Sequence, residues 1–120
     1  MSSNLTKVDT FIDCNDPNDQ WNDTIIKLVS TAKNSRNKKT QFEAVKDIRK
    51  ITSENENLID LLIKHRAIPV LVEKCEVGNP TTKLQALWAL SNITSGTSEQ
   101  TSMVSNKDNL KILNVLTLFI

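Results

Sequence analysis

Residues 44–53 read AVKDIRKITS and residues 86–95 read ALWALSNITS, the same pattern displaced by 42 positions. Ala44 falls on Ala86, Ile51 on Ile93, and Thr52-Ser53 on Thr94-Ser95. The same offset lays AIPVL (67–71) on NLKIL (109–113), with Ile68 opposite Leu110 and Leu71 opposite Leu113. Backwards, TIIKLV (24–29) falls on AIPVLV (67–72) at an offset of 43, a difference that one extra loop residue explains. In a chain written this way each unit is one supersecondary element, and stacking against its neighbour completes the core.

The residue types make the repeating unit helical. Two glycines and three prolines in 120 residues argue against a protein of strands and tight turns. An all-helical period near 42 is expected of armadillo or HEAT arrays. The boundary signals divide each unit further. Asp16-Pro17 supplies a cap and a first-turn proline, with Asp19 in the first turn, for a helix to about Lys33 that buries Trp21, Ile25, Leu28 and Val29. The polar SRNKK is a loop, followed by a helix from about Thr40 to Thr52. Ser53 and Glu56 have capping-box spacing and predict a short helix through Leu58, Leu61 and Leu62. Ala67-Ile68-Pro69 opens another helix that ends near Cys75, and Asn79 is placed to cap a helix over 80–94. Thr97 and Gln100 repeat the capping-box spacing. Short helix, helix, longer helix is the armadillo pattern rather than the two-helix HEAT pattern. The expected fold is all-α, an armadillo-type right-handed helical solenoid of about two and a half repeats, truncated at the C-terminus. The expected division is a flexible tail over 1–15, a partial first repeat over 16–53, a second over 54–96, and the start of a third over 97–120.

Several function classes are excluded by what the sequence lacks. Fifteen basic and fourteen acidic residues give a net charge of +1, no electrostatic footprint for nucleic acid or an anionic membrane. No apolar run reaches the roughly 18–20 residues of a membrane span, and the first residues lack the charged-then-apolar order of a secretory signal. Cys14 and Cys75 stand apart, without metal-ligand spacing, and read as reduced thiols, one of them buried. His65, the only histidine, has no nucleophile or carboxylate beside it and reads as a helix-end residue. The SRNKK and IRK clusters read as solvated faces. No metal, cofactor or enzyme activity is expected.

The helix over 80–94 carries one residue out of place. Taking Leu84 as zero, Ala86, Ala89, Leu90 and Ile93 fall at about 140–240°, a core stripe, with Leu87 near 300°. Thr81, Gln85, Trp88, Asn92 and Ser95 fall at about 20–100°, a second stripe that is polar except for the indole. Trp88 therefore lies off the apolar face of its own helix.

LQALWALSNITSGTSEQT (84–101), with IPVLVEKC upstream and RKITS at 49–53, resembles the signature of the importin-α family, armadillo adaptors of nuclear import. The resemblance covers residues 21–104 well and 105–116 weakly, and its 84–101 core is specific, since generic armadillo repeats lack the SGTSEQT tail. It implies that Trp88 and Asn92 belong to an inner-groove ladder for nuclear localisation signals carried by cargo proteins. A carboxamide can hold a passing main chain by donating to a carbonyl and accepting from an N–H. An indole face takes a lysine stem and attracts its ammonium. The resemblance also implies that Ser95, Gly96 and Thr101 surround a lysine pocket at the helix end. There Gly96 would leave C-terminal carbonyls uncovered; it also reads as an ordinary left-handed cap, and the two readings are compatible. A cytoplasmic and nuclear location is implied as well.

The chain departs from the family pattern at defined points. Lys46 and Lys50 occupy the first-repeat places of Trp88 and Asn92. Arg66 and Asp108 stand where the family usually has glycine, and Lys111 where it has proline. Lys7 is the only base in residues 1–20, against Asp9, Asp13, Asp16 and Asp19, so the family's basic importin-β-binding segment is not visible. Two function classes follow: a peptide-binding adaptor, and a non-binding interaction fragment whose Leu113, Leu116 and Phe119 lack a covering helix.

Overall fold

The computed structural model describes residues 17–118. Seven α-helices follow in order among them: α1 (Pro17–Asn34), α2 (Lys38–Glu54), α3 (Ile59–Lys64), α4 (Ala67–Val77), α5 (Pro80–Thr94), α6 (Ser98–Ser102) and α7 (Asn106–Leu118). A 3-10 turn, Glu56–Leu58, leads into α3. No strand occurs among the described residues. The expected cap at Asp16, the thiol of Cys14 and the acidic stretch before it lie outside them.

Helices α2 and α5 each start where an asparagine supplies the missing acceptor. The Asn37 side chain accepts from the N–H of Thr40 (3.0 Å) at the head of α2. Asn79 does the same for Thr82 (2.9 Å) ahead of Pro80, as its spacing predicts. Ala44, Val45, Ile48, Ile51 and Thr52 then form the buried stripe of α2, and Ala86, Ala89, Leu90 and Ile93 that of α5. Helix α2 lies between α1 and α5, and α4 packs against α5 and α7. Ile25, Ile48, Leu62, Leu71 and Leu90 are completely covered in the core that results. Cys75 is buried on α4 as a free thiol, and burial, reinforced by the neighbouring Glu76 carboxylate, pushes its pKa from 9.0 to about 11.

Two local expectations are corrected. Ser53 and Glu56 do not form a capping box: α2 continues through Glu54, and no side chain caps the 3-10 turn. Ser53 is still helical; its hydroxyl donates to the Arg49 carbonyl one turn back (3.2 Å), and its oxygen accepts from Asn92 rather than from a forward N–H. On α7 the repeat alignment also loses its packing meaning. Ile68 and Leu71 are buried, whereas their partners Leu110 and Leu113 are 63% and 58% exposed. Ile112 and Val115 take the buried places. Helix α7 packs against α4 and α5 on one side, and no described element covers the other.

Arg66, between α3 and α4, is the only non-glycine residue with positive φ among those described (φ 67°, ψ 35°). A side chain in this left-handed conformation costs about 1–2 kcal/mol. Arg66→Gly relieves that strain while giving back about 0.5–1 kcal/mol through the freer unfolded chain. The expected result is a net gain of about 0.5–1 kcal/mol, read as a higher urea midpoint with an unchanged slope.

Candidate peptide-binding groove

Helix α5 presents Gln85, Trp88 and Asn92 away from its core stripe, and the preceding repeat meets them there. Trp88 is 46% exposed, not sunk among the leucines. The guanidinium of Arg49, on α2, stands over its ring at 4.1 Å from the centroid. Arg49 Nε also donates to Gln85 Oε1 (2.8 Å), which fixes the plane of the guanidinium beside the ring. Arg49 is therefore half-buried, and the reading of IRK as a solvated face is corrected for this residue. Lys50 is exposed as expected.

One turn further along, Asn92 Nδ2 donates to Thr52 Oγ1 and to Ser53 Oγ, both at 3.0 Å. Those two hydroxyls in turn donate to the Arg49 carbonyl, at 2.6 and 3.2 Å. A primary amide has two protons, and both are committed here. The expected two-way grip on a main chain is thus reduced to acceptance at Oδ1.

The end of α5 is less open than anticipated. The Ser95 N–H bonds the carbonyls of Ser91 (3.1 Å) and Asn92 (3.2 Å), the Gly96 N–H bonds that of Ile93 (3.1 Å), and the Ser95 hydroxyl returns to Ser91 (2.9 Å). These carbonyls are not bare, although the helix end keeps its partial negative charge. Nor is Gly96 a left-handed cap, since no described glycine has positive φ. A Cβ here would lie 2.5 Å from Gln100 Oε1 and 3.2 Å from the Ile93 carbonyl, so a larger residue must shift the end of the Gln100 side chain.

Gln100 is the residue that sequence reasoning undervalued. Its capping box with Thr97 forms as predicted: the Gln100 N–H donates to Thr97 Oγ1, and the Thr97 N–H to Gln100 Oε1, each at 3.1 Å. Its Nε2 then donates to the Glu56 carbonyl (2.8 Å), tying α6 to the turn before α3. Capping-box spacing announced the first pair of bonds, but nothing local announces the third.

Asn92, Ser95, Gly96 and Gln100 share a cavity of about 420 Å³ with Thr52, Ser53 and Glu56. Asn92, Ser95 and Gly96 are thus brought together. Trp88 does not line this cavity, and Thr101 faces a different cleft beside Thr94, Val104 and Ile112. Both amide protons of Asn92 and one from Gln100 are committed to acceptors within the chain, which leaves the lone pairs of the lining hydroxyl and amide oxygens for a guest. Such a lining suits a cation. Among the described residues no three histidine, cysteine or acidic side chains are placed to hold a metal. His65 Nε2 pairs with Asn22 Oδ1 (2.8 Å), the helix-end role its position suggests. No described helix is long and apolar enough to cross a membrane.

Residues 55–95 match the family described as Armadillo/beta-catenin-like repeat. Importin subunit alpha-3 of Caenorhabditis elegans is 41% identical over 83 residues, 68% of this chain and 16% of that protein. Importin subunit alpha of Saccharomyces cerevisiae is 40% identical over 77 residues, 62% of this chain and 14% of the yeast protein. Over these 77–83 residues the chain is similar to importin alpha subunits, and it carries one matched armadillo repeat. A third relative, importin subunit alpha-2 of Oryza sativa, is 38% identical over 65 residues, covering 52% of this chain and 12% of the rice protein. The chain therefore spans about one sixth or less of the length of these relatives. No solved structure matches it significantly.

The crowding at Gly96 gives a specific expectation. The 2.5 Å contact is with the far end of a flexible side chain, so Gly96→Ala displaces Gln100 and forfeits its bonds. The expected cost is about 1–2 kcal/mol, close to the cost of Gln100→Ala alone. The double variant is then destabilised by much less than the sum, which a chemical-denaturation cycle measures directly.

Proposed function

We propose that this chain is a nuclear import adaptor of the importin-α type, holding a lysine-rich nuclear localisation signal of a cargo protein along the α2–α5 face. Trp88 receives the methylene stem of a lysine and attracts its ammonium, and Asn92 Oδ1 accepts from a main-chain N–H of the signal. Ser95 and Gly96, with Thr52 and Ser53, form the acceptor-lined hollow for a second basic side chain. Thr101 belongs to a separate contact on the far side of α6. The observation that carries this reading is the half-exposed indole of Trp88 in line with Asn92, outside the core stripe of α5. Similarity to importin alpha subunits supports it, and so does the cation-accepting character of the cavity. The partners in this reading are signal-bearing cargo proteins, with neither nucleic acid nor membrane among them. The role is binding rather than catalysis, and the place of action is the cytoplasm and the nucleus.

Titration of the Trp21→Phe chain with a lysine-rich signal peptide, followed by Trp88 fluorescence, is expected to show salt-sensitive binding. Trp88→Ala, followed by calorimetry, should weaken it by about tenfold, the factor that ~1.4 kcal/mol represents. Unchanged affinity in that variant removes Trp88 from the groove and the reading with it.

A second reading is favoured by a different observation. Leu110 and Leu113 are largely exposed, and Val104, Ile112, Leu113 and Leu116 line a cleft of about 710 Å³. An interaction fragment of the armadillo type would self-associate through this apolar face. Phe119, expected to belong to it, lies outside the described residues. Light scattering should then show mass rising with concentration, and Leu113→Lys should suppress the rise. A monomer at high concentration counts against this reading.

A further inference from the structure

We infer that Arg49 is a built-in competitor for the cation site of Trp88: it occupies the indole with the chain's own guanidinium, and an incoming basic side chain must displace it or share the ring with a like charge. The inference rests on the groove reading above and adds its regulation. Trp88 is 46% exposed, yet a cation already stands at 4.1 Å from its ring centroid. The position is held, not accidental. Arg49 Nε is bonded to Gln85 Oε1 at 2.8 Å, one turn before Trp88 on the same helix. At its other end, the Arg49 carbonyl accepts from Thr52 and Ser53, the same hydroxyls that receive both protons of Asn92. One residue of α2 therefore contacts the Trp88 rung directly and reaches the Asn92 rung through two hydroxyls. No carboxylate forms an ion pair with Arg49 among the described residues, so its charge is left to act on whatever approaches the ring.

The sign of the effect on affinity separates this role from a positioning role. A guanidinium that merely braces the ring would make binding weaker when removed. A competitor makes binding stronger, because a guest cation meets a vacant face and no repulsion. Arg49→Ala is expected to tighten a lysine-rich peptide by about fivefold, equal to ~1 kcal/mol, with the gain larger at low salt. Gln85→Ala, which keeps the charge but frees it from the ring, should give a smaller gain in the same direction. Both are measured on the 120-residue chain in a Trp21→Phe background, with helical circular dichroism as the check on folding. Acrylamide quenching of Trp88 should rise in Arg49→Ala without any peptide present.

Weaker or equal peptide affinity in Arg49→Ala, in a chain that remains folded, overturns the competitor role and leaves the groove reading standing. Unchanged quenching overturns it as well, since the ring was then not shielded. Failure of the wild type and both variants to bind the peptide removes the groove reading, and the competitor role falls with it.

Discussion

The seam between α2 and α5 is the contact on which the rest depends. Neither helix can bury its apolar stripe alone, and their packing joins the first helical unit to the second. What distinguishes this seam from a purely apolar one is its polar edge. Arg49, Thr52 and Ser53 on one side meet Gln85, Trp88 and Asn92 on the other, through bonds of 2.8–3.0 Å and one cation–ring contact. Hydrophobic burial sets how firmly the helices associate, while these directional contacts set their register. The candidate site is therefore not an ornament on a finished scaffold. The same side chains that would face a guest also hold the two units in alignment.

A second tie acts at the far end of α5. Gln100 caps α6, reaches back to the Glu56 carbonyl and crowds Gly96, all from one nearly buried side chain. The cavity beside Asn92 keeps its shape because its walls are bonded to each other across more than forty residues of sequence. Its amide donors being committed to acceptors within the chain, the electrostatic preference of the hollow follows from hydrogen-bond accounting rather than from net charge, which is only +1 for the chain.

The helices were largely legible because their signals are local. Asn79-Pro80, Thr97 with Gln100, and the Ala86–Ile93 stripe each act within one or two turns, and each is found as written. Ser53 misled because it stays inside α2, where its hydroxyl donates to the carbonyl one turn back and its oxygen accepts from Asn92 rather than from a forward N–H. Gly96 misled because the constraint on it is steric and comes from the end of the Gln100 side chain, not from its own φ. Leu110 and Leu113 misled because a repeat alignment carries apolar identity but not coverage. The exposure of Trp88 was readable from the helical wheel, whereas Arg49 above it was not. That contact joins two helices, and no single-helix periodicity contains it.

The direction of the bonds around Asn92 has a consequence for any chain laid across it. With both of its protons turned toward Thr52 and Ser53, this amide can only receive. On the proposed reading, a visiting segment would gain hold at this rung through a backbone nitrogen that carries hydrogen, so an imino acid at that step would pass ungripped. Selection by the rung would then fall on the guest's backbone chemistry, one residue at a time, in addition to the charges of its side chains.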